Sequence, residues 1–266
     1  MTSKVRGLGL TLLIIWLLAP LIPLAIWSFS AAWFFPDLLP AEWSLQGWRY
    51  AMSDASGVID SLWLTLGIAA LTSGLSALIG VPAGRALGMH QFRGKQLVEL
   101  IVLAPLIVPG IAVAMGLHSV FIGLGLNNTV AGVVLVHLVP TLPYMVLMMA
   151  AVFANFDVGF EDQARSLGAS PLRVFWHITL PAILPGLVVG ALFAFLVSWS
   201  QYLLTLLVGG GRIVTMPLLL FNFVAAGRND LAGAIGMIYI LPGVIVLALT
   251  ARHLAGNTAL IRMGKP

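Results

Sequence analysis

Residues 129–153 read TVAGVVLVHLVPTLPYMVLMMAAVF, a run of 25 residues that holds no charged side chain. A helix rises about 1.5 Å per residue, so a run of this length can cross the roughly 30 Å of hydrocarbon in a bilayer. Inside that layer, only a helix or a closed barrel can pair every backbone N–H and C=O group. The stretch therefore predicts a transmembrane α-helix.

The rest of the chain repeats this pattern. Of its 266 residues, 60% are hydrophobic and only 8% are charged, which is too little charge for the surface of a soluble domain. The stretches that are long and apolar enough to span a bilayer are 8–29, 60–83, 97–117, 129–153, 183–207 and 233–251. We predict an all-α fold, a polytopic membrane bundle of six transmembrane helices, with residues 1–266 forming a single transmembrane domain.

Several classes of function lack their sequence signals. The chain has no cysteine, which excludes disulfides, thiolate metal sites and a cysteine nucleophile. Its basic residues form no clustered face for nucleic acid. The nearest approach to a phosphate-binding loop, Gly88 to Gly94-Lys95, has five residues between its glycines where the motif needs four. We therefore expect no enzyme activity and no catalytic, metal or cofactor site on this chain.

The basic residues predict the orientation, because cytoplasmic loops carry an excess of Lys and Arg. With the N-terminus inside, ten of the 13 Lys and Arg residues fall on inner segments, whereas Arg49, Arg212 and Arg228 fall outside. The reverse orientation would reverse this bias. Both termini are therefore predicted to be cytoplasmic, as is the loop of residues 155–182 between the fourth and fifth spans.

This inner loop carries start and stop signals for two short helices. Residues 157–181 read DVGFEDQARSLGASPLRVFWHITLP. Asp157 can cap a first helix, and Gly168 is a natural stop. Ser170 followed by Pro171 is a second cap and start. We predict two short helices joined by a sharp turn, with Pro181 at the entry to the fifth span.

The second short helix has an apolar side. Leu172, Phe175 and Trp176 fall on one face of it. Such a ridge on a cytoplasmic loop can occupy the groove of a partner protein. It can also pack on its own bundle or on lipid headgroups, and the residues alone favour neither alternative.

The spacing in this loop resembles a known signature. Asp162-Gln163-Ala164 is followed after three residues by Gly168, and nine residues later by Ile178, one residue and Leu180-Pro181. The pattern is similar to the cytoplasmic motif of binding-protein-dependent importer permeases: Glu-Ala-Ala, three residues, Gly, nine residues, Ile, one residue, Leu-Pro. Asp162 and Gln163 depart from it in residue type. Through span order and motif, the resemblance covers residues 60–252.

The resemblance implies a single permease domain in a bacterial inner membrane. The loop of residues 155–182 would hold a coupling helix that docks on a cytoplasmic ATPase dimer, which would bind the ATP and Mg²⁺. Further partners would be a second permease subunit, a periplasmic or lipid-anchored solute-binding protein, and membrane lipid. The residues assigned to ATPase coupling are Glu161, Asp162, Gln163, Ala164, Gly168, Ala169, Ser170, Pro171, Leu172, Phe175, Ile178, Leu180 and Pro181.

A narrower resemblance concerns the end of the fifth span. Residues 198–205, with Gly209–Gly211 and Thr215–Pro217, look like the branch that holds permeases for spermidine/putrescine, ferric iron, thiamine and aminoethylphosphonate. This branch implies a small polar or charged solute. It also favours a different chain, rather than a second copy, as the partner permease.

Polar side chains inside the spans are candidates for the translocation path, because lipid cannot satisfy them. They lie at helical spacings on two spans, where Pro140 and Pro143 are expected to kink the fourth. Interhelical hydrogen bonding is the alternative role, and for the lone histidine it is the commoner one. The candidates are Ser198, Gln201, Tyr202 and Thr205 of the fifth span, and His137, Thr141 and Tyr144 of the fourth.

The alternative function is an ion-gradient-driven secondary transporter. Such a protein usually carries charged groups near the middle of the membrane for coupling, and the spans of this chain carry almost none. The sequence therefore favours the permease subunit of an ATP-driven importer.

Overall fold

The computed structural model describes residues 3–34 and 36–263, and nearly all of its regular structure is helical. Lys265, which the orientation argument counted, lies outside the described residues. The elements in chain order are α1 (Ser3–Leu18), α2 (Leu21–Ser28), β1 (Ser30–Ala32), β2 (Glu42–Trp43), α3 (Gln46–Ala51), α4 (Val58–Met89), α5 (Lys95–Ile107), α6 (Gly110–Gly123), α7 (Val130–Ala154), α8 (Gly159–Ser166), α9 (Pro171–Val174), α10 (Leu180–Trp199), α11 (Leu203–Gly209), α12 (Met216–Ala225) and α13 (Asn229–Met263).

The long apolar helices confirm the predicted fold class. Within the described residues, four helical segments are long and apolar enough to cross a membrane: Val58–Met89, Val130–Ala154, Pro171–Trp199 and Asn229–Thr250. Two bent pairs raise the number to six if each pair is one span. These pairs are Thr11–Leu18 with Leu21–Ser28, bent by 49°, and Lys95–Ile107 with Gly110–Gly123, bent by 104°.

The third predicted span, 97–117, is wrong as a continuous helix. It breaks between α5 and α6, where Val108 is extended, with φ −74° and ψ 136°. Pro109 causes this break, since a proline disfavours the helical conformation of the residue before it and has no N–H to continue the ladder.

The fifth predicted span, 183–207, is also shifted. The helix begins earlier and ends at Trp199, and α11 starts at Leu203. Polar side chains compete for the backbone at this break: the Ser200 hydroxyl donates to the Val197 carbonyl at 3.2 Å, and the Thr205 hydroxyl donates to the Gln201 carbonyl at 3.0 Å. Ser198, Gln201 and Thr205 therefore do not share one continuous helix.

The sequence predicts a single domain, and the structure divides the chain into two compact units. The first holds the residues up to Trp63 together with Thr215–Pro242, and it has a core of buried apolar side chains that includes Ala51, Val58, Leu231 and Ile235. Strands β1 and β2 of this unit form a small antiparallel pair, in which Ser30 is opposite Trp43.

The second unit holds Leu64–Val214 and the residues from Gly243 on. One of its cores packs Met145, Met149 and Phe153 of α7 against Ile183 of α10. Glycines in the second half of α4 press against α7 and leave no room for a side chain: a Cβ on Gly84 would lie 2.8 Å from the Ala150 nitrogen. Small residues at such a contact allow two helices to pack closely.

Candidate functional site

The loop of residues 155–182 has the turn that its sequence predicts. Helix α8 ends at Ser166, and Gly168 follows two residues later with φ +85°, a conformation that glycine adopts without steric cost. The Gly168 N–H donates to the Arg165 carbonyl at 2.9 Å, and the Ala169 N–H donates to the Ala164 carbonyl at 3.0 Å. This pair of bonds is a Schellman motif, which satisfies the last carbonyls of the helix.

Side chains cap both starts. The Asp157 carboxylate accepts from the N–H of Gly159, the first residue of α8, at 2.8 Å. The Ser170 hydroxyl accepts from the Arg173 N–H at 3.4 Å, and Pro171 occupies the first turn of α9. Both signals were local in sequence, and the structure confirms both.

The sequence predicts that the second short helix is separate from the fifth span. In the structure the two are continuous. Helix α9 passes into a π-helical turn, Phe175–Thr179, and then directly into α10. Pro181 has no N–H, and its ring crowds the carbonyl of residue 177 in an ordinary α-turn. A wider π-turn relieves this crowding, so the helix continues through Pro181.

Glu161 points inward. Its side chain is 1% exposed within this chain alone, so its carboxylate is not available to a partner surface. It accepts two parallel hydrogen bonds from Arg85 of α4, at 2.8 and 2.7 Å, and one from the Thr179 hydroxyl at 2.6 Å. Of the residues assigned to ATPase coupling, Glu161 is thus one whose side chain contacts other elements of this chain.

The neighbouring cations and hydroxyl stabilise the ionised form of this carboxylate. Hydrogen bonding from the Arg85 guanidinium, against the opposing effect of burial, lowers the pKa of Glu161 to about 2. The bond from Thr179 and the charges of Arg85 and Arg165 act in the same direction. Glu161 is therefore an anion at any physiological pH.

Large apolar side chains of the same loop lie in the open. Leu167 is 89% exposed, Leu172 69% and Trp176 57%. We call these three residues the coupling surface. Asp162 and Gln163 are also exposed, whereas Phe175 is half-buried and contacts the Trp176 ring edge-on, with ring centres 5.7 Å apart. Ile178 and Leu180, in the link to the fifth span, are half-buried.

The polar residues of the spans form a buried cluster. His137 Nδ1 lies 2.9 Å from the Ser198 hydroxyl, and Nε2 lies 2.9 Å from the Thr205 hydroxyl. The Thr141 hydroxyl donates to the His137 carbonyl at 2.9 Å and lies 2.9 Å from the Ser76 hydroxyl of α4. All five are buried, so this polar cluster supplies the interhelical hydrogen bonding that was the alternative to a path lining.

The remaining path candidates lie elsewhere. Gln201, in the break between α10 and α11, lines a cavity of about 100 Å³ together with residues of both broken spans, Pro105, Gly110, Leu203 and Leu204 among them. Tyr202 is half-buried beside it. Tyr144 stacks on Phe193 with ring centres 6.1 Å apart. Helix α7 runs through Pro140 and Pro143 without a break.

Sequence reasoning missed Arg85, Thr179 and Ser76. The available signal for Arg85 was that it is a basic residue near the end of a predicted span, which the orientation argument had counted. No local pattern pairs it with Glu161, 76 residues away. In the described part of the chain, no three His, Asp or Glu side chains come together as metal ligands would.

Comparison with known proteins agrees with this architecture. The family model described as binding-protein-dependent transport system inner membrane component matches residues 80–258. The putrescine transport system permease protein PotI of Escherichia coli K12 is 28% identical over 251 residues, which cover 89% of this chain and 87% of PotI. The spermidine/putrescine transport system permease protein PotC of Haemophilus influenzae is 26% identical over 203 residues, covering 76% of this chain and 79% of PotC.

A solved structure shows the same fold. It is a bacterial ABC transporter involved in the import of the acidic polysaccharide alginate, and it matches with a TM-score of 0.68 at 19% identity. The match covers 94% of this chain and 95% of that one. The family model spans well over half of the sequence and includes the whole 155–182 loop. The chain therefore belongs to the family of binding-protein-dependent transport system inner membrane components, the multi-pass permease subunits of ABC importers.

Proposed function

We propose that the chain is one of two permease subunits of an ATP-driven importer, and that its 155–182 loop docks on a cytoplasmic ATPase. The observation that carries this proposal is the contrast within the loop. Glu161 is fixed inside the permease, while the coupling surface of Leu167, Leu172 and Trp176 lies exposed. Exposed apolar side chains rimmed by charged residues mark an interaction surface, and a short helix with such a face suits a groove in a partner.

The orientation belongs to the same proposal. Both termini and the coupling surface lie in the cytoplasm, supported by the ten-to-three distribution of basic residues. ATP and Mg²⁺ are bound by the ATPase dimer and no cofactor by this chain, which is supported by the missing phosphate-binding loop.

The other partners follow from the family. A periplasmic or lipid-anchored binding protein delivers the solute, as the family description itself implies. The second permease subunit is a different chain, which is supported by the branch resemblance of residues 198–217.

The solute is a small organic cation of the polyamine class. Two relatives are named for putrescine and spermidine transport. Acidic residues on the predicted outer side would favour the approach of a cation; they are Asp37, Glu42, Asp54, Asp60 and Asp230.

The test is purification of the intact complex through a tag on this chain, followed by identification of its subunits and by reconstituted uptake of labelled putrescine. We expect an ATPase in the complex, and we expect Leu167→Glu to reduce ATPase co-purification at least tenfold. Leu38→Glu, a change at a comparably exposed leucine of the outer loop, is the control. ATPase association that withstands Leu167→Glu would refute the docking surface, and absence of putrescine uptake would refute the solute class alone.

A further inference from the structure

The Glu161 carboxylate joins several elements of the permease. Oε1 accepts from Arg85 Nη1 at 2.8 Å and from the Thr179 hydroxyl at 2.6 Å. Oε2 accepts from Arg85 Nη2 at 2.7 Å and from Arg165 at 3.3 Å. The partners come from α4, from the π-helical turn and from α8 itself, so a single side chain fixes the position of α8 on two other elements.

The Arg85 guanidinium extends this link to a fourth element. It lies 5.5 Å from the centre of the Phe153 ring, near the inner end of α7. Helix α4 is itself pressed against α7 at Gly84 and Gly88, where a Cβ would meet α7 backbone. Because packed helices move as rigid bodies, a displacement of Arg85 displaces α4 and α7 together.

The geometry of the link is specific. The two parallel bonds between a guanidinium and a carboxylate fix direction as well as distance. Thr179 is the last residue of the π-helical turn, and such turns are rare and occur often at functional sites. The link lies on the opposite side of α8 from solvent, whereas Leu167 of the coupling surface lies at the exposed turn.

We propose that Glu161 is the positioning residue through which movement of α8, imposed by the ATPase, is transmitted to α4 and α7. This inference rests on the proposed function, since it presupposes that the ATPase docks on the loop. Without the carboxylate, α8 would keep its backbone connection to α10 and its coupling surface. Its movement would then no longer reach α4, so hydrolysis would proceed without solute uptake.

The test uses the reconstituted complex with its ATPase and binding protein, and compares Glu161→Gln with wild type. We expect ATPase co-purification within twofold of wild type and continued ATP hydrolysis, with uptake per ATP hydrolysed reduced at least tenfold. Glu99→Gln, on α5, is the matched control, because the Glu99 side chain is 40% exposed and lies 4.0 Å from Lys95. Coupled transport by Glu161→Gln, or loss of its ATPase, would overturn the transmission role.

A covalent replacement of the ion pair gives a second readout that a merely structural role would not produce. The chain has no cysteine, so Arg85→Cys with Glu161→Cys introduces a unique pair for a bifunctional thiol cross-linker. We expect the reduced double variant to hydrolyse ATP without uptake, and the cross-linked form to regain uptake. A cross-linked form that stays uncoupled would overturn the proposal. If no ATPase co-purified with the wild-type permease, the docking proposal would fail instead.

Discussion

The Thr205 hydroxyl lies 2.9 Å from His137 Nε2 and 3.0 Å from the Gln201 carbonyl. A hydroxyl has one hydrogen, and a carbonyl can only accept, so both contacts are hydrogen bonds when Thr205 donates to Gln201 and Nε2 donates to Thr205. In a neutral imidazole, Nδ1 then accepts from Ser198. His137 thus bridges the break in the fifth span, with one partner on each side.

Replacing His137 by leucine removes this bridge. We expect His137→Leu to destabilise the permease, because the Ser198 and Thr205 hydroxyls lose their common partner, and each interhelical bond contributes on the order of 1 kcal/mol. The measurement is the thermal unfolding temperature in detergent. His90→Leu, at an exposed position, is the control and should behave as wild type. An unchanged unfolding temperature in His137→Leu would show that the cluster does not hold the break together.

Gln201 is the path candidate that the structure leaves beside a cavity. We expect Gln201→Leu to reduce solute uptake severalfold while complex assembly stays normal, because the amide is replaced by an apolar group at a cavity wall that is otherwise lined by prolines, glycine and aliphatic side chains. Uptake and subunit composition should be measured together, with Gln96→Leu as an exposed control. Normal uptake by Gln201→Leu would remove Gln201 from the path.

The fold class could be predicted because it depends on local apolar runs, as in residues 129–153. The turn at Gly168 and the cap at Ser170-Pro171 could be predicted for the same reason. The break at Pro109 did have a signal in the sequence, which is the proline itself. Its effect on the backbone outweighs the apolar run around it. The break after Trp199 had none, since it depends on hydroxyl groups and on His137, which lies 61 residues from Ser198.

The inward position of Glu161 could not be predicted from the sequence either. Its neighbour Asp162 has the same charge and also lies in the first turn of α8. Only the packing of α8 against the π-helical turn decides which of the two is buried. Contacts between distant elements therefore account for most of what the sequence could not predict.

The ion pair of Glu161 predicts a specific pH dependence. The pKa of Glu161 is lowered from 4.5 to about 2 in the folded protein by the bonds from Arg85. The ionised carboxylate therefore stabilises the folded state fully above pH 4.5, and this contribution declines as the pH falls from 4.5 toward 2. We expect the stability difference between wild type and Glu161→Gln to be constant from pH 8 to pH 6 and to shrink only below pH 4.5. Thermal unfolding across this range measures it, and shrinkage already between pH 8 and pH 6 would contradict the assignment.

The orientation can be tested with single cysteines, since the chain has none. We expect Arg228→Cys to react with a membrane-impermeant thiol reagent in intact cells, and Asp157→Cys to react only after the membrane is opened. The ten-to-three distribution of basic residues motivates this expectation. Labelling of Asp157→Cys from outside, with none at Arg228→Cys, would reverse the orientation.

The docking of the 155–182 loop is the central claim, and Gly168 tests it most directly. Its φ of +85° costs a side-chain-bearing residue about 1–2 kcal/mol, and no atom outside its neighbours lies within 4 Å of a Cβ there, so substitution affects the turn and not the packing. Asparagine tolerates this conformation better than other non-glycine residues, which makes Gly168→Asn the matched control for Gly168→Val.

The decisive measurement is ATPase co-purification and solute uptake for these two variants in the reconstituted complex. We predict a permease of normal abundance in both, with ATPase association and uptake strongly reduced in Gly168→Val and largely retained in Gly168→Asn. Wild-type ATPase association and uptake in Gly168→Val would contradict the assignment of this loop as the coupling element.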